Sequence, residues 1–314
     1  MKQFDLAQIQ SPVLLRGDSR TAYRDPAVCY RNGRFHLFFT LVETEADGTP
    51  FLYLATTESC DLIHFSPVRK LTERNRTKNY SSPGCVLEFG GMFYLCLQSY
   101  CRENGEKFGN ANSRIFLMRS PDLIRWSEPG LLRVKGDNLP DADAGRMIDP
   151  FILRNDDASG PLFHCFFKQN GVSRSVSRDL KHWTFLGSSD AGENVCVIPD
   201  GNGFLMVHSP ENGIAFKRSR DLAEWHDCGV TYLGSADWDW ARGRITAGFI
   251  LDLRSCPEIG KALLFYHGSG PEDESVIFDT HACIGIAWSS DLLHWDFPRE
   301  TTSNSTKYKE RNFS

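Results

Sequence analysis

The sequence predicts an all-β protein, a five-bladed β-propeller with four antiparallel strands in each blade. Short apolar runs of strand length are joined by hairpin signals such as Asn32-Gly33, and the apolar periodicity of an α-helix is almost absent. The motif Ser-x-Asp-Leu-x-x-Trp/Phe occurs five times, with its aspartates at Asp61, Asp122, Asp179, Asp221 and Asp291. Two stacked β-sandwiches would also use such strands, but they would not produce a fivefold motif.

The repeated motif has the character of a tight turn between two strands. Its aspartate can accept hydrogen bonds from the backbone just ahead, and its leucine can pack inward. The aromatic residue then opens the next strand with a large apolar surface. We therefore expect the five motif aromatics to belong to the core: Phe65, Trp126, Trp183, Trp225 and Trp295.

The repeat divides the chain into a single propeller domain over residues 1–298 and a polar C-terminal tail at 299–314. Residues 1–20 are expected to cover or close the ring. The tail carries no core residues and is expected to be a loose terminus. The blades are expected at roughly 21–68, 81–133, 146–188, 192–232 and 244–298.

Composition and charge argue against several classes of protein. The 314 residues are 41% hydrophobic and 24% charged, which predicts a folded chain, and the net charge is −5. This mild acidity, without a basic cluster, argues against nucleic-acid binding. No apolar run approaches the ~20 residues that span a membrane. The first residues lack the apolar core of a signal peptide, so we expect a cytoplasmic protein.

The ten cysteines are scattered singly along the chain. No two have C-x-x-C spacing, so neither a zinc site nor a redox motif is indicated. Most lie inside apolar runs, where we expect reduced core residues. Nucleophile-elbow and dinucleotide-binding motifs are also missing.

The candidate site lies where the five inner strands begin. In a propeller these strands run along the central axis, so their starts converge on one funnel. Three of the starts contain a carboxylate at what we interpret as the same register, and like charges resist ionising side by side. Such a cluster indicates function rather than stability. The starts read Arg24-Asp25-Pro26, Ser81-Ser82-Pro83, Ile148-Asp149-Pro150, Gly192-Glu193-Asn194 and Arg244-Ile245-Thr246.

Over about residues 20–298, these strand starts resemble glycoside hydrolase family 43, in the superfamily of five-bladed propeller hydrolases that includes the family 32 fructosidases. The resemblance implies Asp25 as general base, Glu193 as general acid, and Asp149 as the carboxylate that orients the acid and tunes its proton affinity. The chain departs from the family at Asn194-Val195, where Gly-Pro is usual, and at Ser81-Ser82, where Trp-Ala is usual.

The resemblance also implies a role for Arg244. Arg244 is expected to bind substrate or to steady Asp149, with an ion pair at a blade edge as the alternative. We further expect substrate contacts from Ser82, Thr246, Trp238 and Trp240, with ordinary blade packing as the alternative for the two tryptophans. Glu211 and Asp190 are the other candidates for the acid.

No cofactor is expected to be required. In some relatives a histidine faces the axial channel, so His267 is the candidate to hold a structural calcium-type ion there. A hydrogen-bonded strand histidine is the alternative.

The function implied by the resemblance is hydrolysis of oligosaccharides with inversion, on arabinoside- or xyloside-type substrates. One alternative is a retaining fructosidase, although blade 1 reads Arg-Asp-Pro-Ala and not the Asn-Asp-Pro-Asn-Gly of those enzymes. A propeller that binds carbohydrate without catalysis is the other.

Overall fold

The computed structural model describes residues 4–234 and 236–298, and within them twenty strands form five four-stranded antiparallel sheets. The predicted five-bladed β-propeller is therefore confirmed. Two short 3₁₀ helices, Leu6–Gln8 and Asp239–Ala241, are the only helices in these ranges. None of the helices described is long and apolar enough to cross a membrane.

The blades follow one another along the chain. Blade 1 contains β2 (Thr21–Arg31), β3 (Arg34–Thr44), β4 (Pro50–Ser59) and β5 (Arg69–Lys70). Blade 2 contains β6 (Ser81–Phe89), β7 (Met92–Gln98), β8 (Ile115–Ser120) and β9 (Gly130–Leu131). Blade 3 contains β10 (Ile148–Arg154), β11 (Phe163–Lys168), β12 (Val172–Ser177) and β13 (Thr184–Ser189). Blade 4 contains β14 (Glu193–Asp200), β15 (Gly203–Ser209), β16 (Ile214–Ser219) and β17 (His226–Thr231).

Blade 5 is assembled from both ends of the described chain. It contains β18 (Arg244–Leu253), β19 (Lys261–Ser269) and β20 (Cys283–Ser289), and its outer strand is β1 (Val13–Leu15). The stretch expected to cover or close the ring thus supplies a strand that pairs with β20. The inner strands β2, β6, β10, β14 and β18 contact one another in ring order. The predicted tail, 299–314, lies outside the described residues.

The five repeated motifs form tight turns of one kind. In the first, the Ser59 hydroxyl accepts the N–H of Leu62 at 2.8 Å, and Asp61 Oδ1 accepts the N–H groups of Ile63 and His64 at 2.9 and 2.8 Å. The motif leucines are buried although their φ angles are 57–65°, a region that leucine rarely adopts. The side-chain hydrogen bonds and the leucine burial together stabilise this backbone. Of the motif aromatics, Trp183 is buried and the other four pack against the core partly buried.

Candidate active site

A β-bulge interrupts each inner strand at the same place. In blade 1 the pairing with β3 shifts between Arg24 and Ala27, and the other four blades show the same irregularity. The residue inside each bulge has a φ of 43–53°. Bulges re-aim side chains, and all five bulge residues line one small cavity on the axis: Asp25, Ser82, Asp149, Asn194 and Ala247.

Four of the five bulges are held by a side chain of the blade before them. The backbone N–H of Asp25 donates to His267 Nδ1 at 3.1 Å, and that of Asp149 donates to Gln98 Oε1 at 2.6 Å. Ser82 and Ala247 donate in the same way to side chains on β3 and β15. Because a buried N–H needs a partner, these contacts fix the positive-φ backbone that presents the site.

The register of the three carboxylates differs from the prediction. Asp25 and Asp149 occupy equivalent bulge positions, but in blade 4 that position belongs to Asn194. Glu193 lies one residue earlier, so its predicted register was wrong. The structure still brings all three carboxyl groups to one funnel cavity of about 380 Å³, within the ~300–1,000 Å³ of ligand pockets.

Asp25 offers one oxygen to the funnel. Its Oδ2 accepts a hydrogen bond from the Thr40 hydroxyl at 2.8 Å. Its Oδ1 lies 3.6 Å from His267 Nδ1, beyond hydrogen-bond distance, and has no other partner among the described residues. The side chain is 15% exposed, so a water in the funnel can reach this oxygen.

Asp149 is the most enclosed of the three carboxyl groups and accepts a hydrogen bond from the Ser82 hydroxyl at 2.8 Å. Burial raises the pKa of Asp149 to about 7, with a further contribution from the negative charges of Glu193 and Asp25. Asp149 therefore retains a proton close to neutral pH.

Glu193 forms an ion pair with Arg244, in which Arg244 Nη2 donates a hydrogen bond to Glu193 Oε1 at 2.9 Å. The other end of the Arg244 guanidinium binds Glu274, which also accepts a 2.8 Å hydrogen bond from Arg24. Burial alone would raise the pKa of Glu274, but the positive charge of Arg24, the His267 hydrogen bond and the charge of Arg244 hold it well below its usual range. Two arginines and two glutamates thus form a chain along the blade 5 side of the funnel.

Sequence reasoning missed Glu274. It lies in the acidic loop segment Glu272-Asp273-Glu274 between β19 and β20, and only the fold shows which of the three is buried. Three residues that do line the funnel, Arg146, Tyr100 and Phe278, were missed as well, because the loops that carry them have no sequence periodicity.

His267 connects Asp25 to Glu274. Since its Nδ1 accepts the N–H of Asp25, the neutral ring carries its proton on Nε2, which lies 3.4 Å from Glu274 Oε1. Burial lowers the pKa of His267 and keeps the ring neutral. Both nitrogens face protein partners, which does not suit a metal ligand, and the described ranges contain no group of three or more His, Cys, Asp or Glu side chains able to hold a metal. The calcium-type ion stays a prediction.

Of the other two predicted substrate contacts, one lies next to the carboxyl groups and one does not. Ser82 lies in the blade 2 bulge beside Asp149. Thr246 is buried opposite His267 and lies outside the funnel lining.

The expectation that Trp238 and Trp240 contact a sugar is corrected. They are 9% and 6% exposed, stack on each other at 5.2 Å and lie outside the funnel lining. Trp240 also stacks on Tyr266, so both rings are part of the blade 5 core. The alternative acid candidates, Asp190 and Glu211, line a neighbouring groove.

Two long loops wall the funnel above blade 1. Arg102, on the loop after β7, makes two hydrogen bonds of 2.8 and 3.0 Å to Asp279, on the loop before β20. Phe108 packs on the edge of Phe278 at 5.0 Å, and Arg24 lies 4.1 Å above the Phe278 ring. These contacts join blade 2 to blade 5 across blade 1.

No protein-family model matches the chain, and neither does any curated protein. Solved structures do match. The catalytic domain of the Coprinopsis cinerea GH62 α-L-arabinofuranosidase has a TM-score of 0.63 and 15% identity, covering 87% of this chain and 94% of that one. An exo-1,5-α-L-arabinanase from a bovine ruminal metagenomic library has a TM-score of 0.58 and 15% identity, covering 92% and 96%. A thermostable family-43 glycoside hydrolase has a TM-score of 0.59 and 14% identity, covering 96% and 99%.

The chain has the propeller fold of these glycoside hydrolases. The resemblance inferred from the strand starts is therefore confirmed at the level of the fold.

Proposed function

We propose that the protein is a glycoside hydrolase that cleaves glycosidic bonds of oligosaccharides. The observation that carries this proposal is the meeting of Asp25, Asp149 and Glu193 in one funnel, with a proton retained on Asp149. Hydrolysis of a glycosidic bond uses one carboxyl group as acid and another as base. The similarity in fold to an arabinofuranosidase and an arabinanase supports the proposal.

The proposed reaction is a single displacement with inversion. Asp25 takes a proton from a water, whose oxygen bonds to the anomeric carbon as the bond from that carbon to the glycosidic oxygen breaks. Glu193 reacts in its protonated form, with the proton on Oε2, the oxygen that Arg244 does not contact. It gives this proton to the departing oxygen, so one water is consumed for each bond cleaved. Arg244 fixes the position of Glu193 through their 2.9 Å contact. After the step Asp25 releases the proton that it took from the water and Glu193 takes up one from solvent, so both carboxyl groups return to their starting states.

The proposed substrates are arabinoside- or xyloside-type oligosaccharides. The small funnel suits one sugar unit, and its lining combines the aromatic side chains of Tyr100 and Phe278 with charged groups. Such a combination offers an apolar surface to a sugar ring and hydrogen bonds to its hydroxyl groups.

One observation favours a carbohydrate-binding propeller without catalysis as the second candidate. Asn194 occupies the blade 4 bulge, where blades 1 and 3 carry aspartates, and an amide does not donate a proton as a carboxylic acid does. In that case Glu193 would serve only as the ion-pair partner of Arg244.

The experiment is hydrolysis of a panel of aryl glycosides (α-arabinofuranoside, β-xyloside, β-galactofuranoside, β-galactoside and fructosides) by wild type and Asp25→Asn. Asparagine tolerates positive φ, so the variant is expected to fold although Asp25 has a φ of 49°. We expect turnover of one sugar and a loss of about 10²–10⁴-fold in kcat in the variant, the size of a general-base contribution.

The matched control is Asp143→Asn, which makes the same change at an exposed position away from the funnel. NMR of the first product formed reports inversion or retention. Full activity in Asp25→Asn would overturn the role of Asp25, and no turnover across the panel together with measurable sugar binding would favour the second candidate.

A further inference from the structure

A polar groove leads away from Glu193 between blades 3 and 4. Every strand of blade 4 contributes to its lining: Glu193 on β14, His208 and Ser209 on β15, Lys217 on β16 and Asp227 on β17. Neighbouring strands lie ~4.8 Å apart, so three spacings carry the groove roughly 14 Å outward from the axis. We call it the blade 4 groove; its volume is about 700 Å³.

The funnel and the blade 4 groove share one wall. Glu193 and Arg244 line both spaces, so their ion pair stands between them. The Glu193 side chain is 32% exposed. A bond positioned at Glu193 would therefore have one end in the funnel and the other end in the groove.

The loop contacts above blade 1 lie on the side of the funnel opposite the blade 4 groove. In a ring of five blades, the boundary between blades 3 and 4 is opposite blade 1. The contacts Arg102–Asp279 and Phe108–Phe278 wall the blade 1 side, and Lys107 adds a hydrogen bond to the Ser275 carbonyl. A sugar chain whose end sits in the funnel is therefore directed toward the groove.

The chemistry of the groove suits a hydroxyl-rich chain. Lys168, Asp190 and Glu211 line it, and none of them forms an ion pair or a side-chain hydrogen bond with another described residue. His208, 6% exposed, also lines it; its Nδ1 accepts the N–H of Gly192 at 2.9 Å and its Nε2 has no partner in the described ranges. These groups can donate to and accept from sugar hydroxyls.

We propose that the blade 4 groove binds the part of an oligosaccharide that departs when the bond beside Glu193 is cleaved, while the terminal sugar occupies the funnel. This inference rests on the proposed function and adds to it that the enzyme removes sugars from a chain end. It also assigns Lys168 and Glu211 to the recognition of the departing chain.

The test compares two substrates with the same terminal sugar: the aryl glycoside turned over in the panel and the linear trisaccharide of that sugar. The quantity measured is the ratio of kcat/KM for the trisaccharide to kcat/KM for the aryl glycoside. For the double variant Lys168→Ala/Glu211→Ala we expect this ratio to fall at least about tenfold, because hydrogen bonds to charged groups are lost only by the longer substrate. The matched control is Lys181→Ala/Glu224→Ala, which removes the same charges from exposed turns outside the groove.

The outcomes separate the groove from the proposed function. If the double variant turns over both substrates with an unchanged ratio, the departing chain does not bind in the blade 4 groove. The proposed hydrolase activity would still stand. A fall in the ratio in the control as well would also overturn the groove assignment, since charge alone would then explain the effect. No wild-type turnover on any substrate would overturn the proposed function, and the groove assignment with it.

Discussion

Asp25 and Asp149 occupy equivalent bulges, yet their surroundings differ. Asp25 has a partly exposed side chain with one oxygen free of hydrogen bonds, whereas Asp149 is buried and accepts only the Ser82 hydroxyl. Since burial disfavours the charged form, the proton stays with Asp149. Two identical residues in identical backbone positions can thus take different roles in acid–base chemistry.

The raised pKa of Asp149 predicts a pH-dependent stability. Its pKa rises from 3.8 to about 7 on folding, so the folded state binds the extra proton between these values. Stability from this group is therefore fully present below about pH 4 and is lost as pH rises to about 7. We expect Asp149→Asn, which tolerates the φ of 51°, to gain in Tm relative to wild type between pH 5 and 8.

Thermal unfolding at several pH values measures this difference, with Asp143→Asn as the exposed control. A Tm difference between Asp149→Asn and wild type that stays constant from pH 5 to 8 would contradict the assignment of the proton to Asp149.

At the scale of single elements, the turn motif and the bulge stabilise an unfavourable backbone conformation by different contacts. Both place a residue other than glycine at positive φ: the motif leucine in the turn and the axis residue in the bulge. In the turn, a serine and an aspartate from the same segment hold the backbone. In the bulge, the partner comes from the preceding blade, so neighbouring blades must be docked before the site is complete.

The turn contacts predict the effect of Ser59→Ala. Ser59 is 2% exposed, and its hydroxyl accepts the N–H groups of both Asp61 and Leu62. Removing it leaves buried donors without a partner, which costs about 1–3 kcal/mol. We expect the free energy of unfolding, measured with urea, to fall by this amount. Ser255→Ala, at an exposed serine without a side-chain hydrogen bond, should change it little; equal effects would contradict the role of the hydroxyl.

At the scale of the whole molecule, the ring depends on a strand from the N-terminal segment. Without β1, the strand β20 would be an open edge with unpaired N–H and C=O groups, which favours association with other chains. Pairing Val13 and Leu15 with β20 joins residues about 270 positions apart in the sequence. Closing so long a loop costs conformational entropy, which the pairing and the packing of blade 5 must offset.

Two deletions test the role of β1. Removing residues 1–10 keeps the strand but loses Ile9, which packs into the core, whereas removing residues 1–15 deletes β1 as well. We expect the longer deletion to lower Tm well below that of the shorter one and to promote aggregation. Thermal unfolding and size-exclusion chromatography measure both effects. Equal behaviour of the two deletions would show that β1 contributes nothing beyond the segment before it.

The fold was predictable because its determinants are local and repeated. Each copy of the turn motif is specified within seven residues, so five copies could be counted from the chain alone. The two aspartates followed by proline were predictable for the same reason, since Asp25-Pro26 and Asp149-Pro150 mark the same strand position.

The position of the third carboxylate and the burial of the surrounding residues depend on tertiary structure. A shift of one residue in the blade 4 bulge places Asn194 where Glu193 was expected, and no spacing in the sequence shows on which residue a bulge falls. Trp238 and Trp240 lie in the core, and Glu274 is buried beside Arg24 and Arg244, because burial depends on which distant segments pack together. The number of blades and two of the three carboxylate positions could thus be predicted from the residues alone. Only the packing of distant segments determined which groups are buried, paired and protonated.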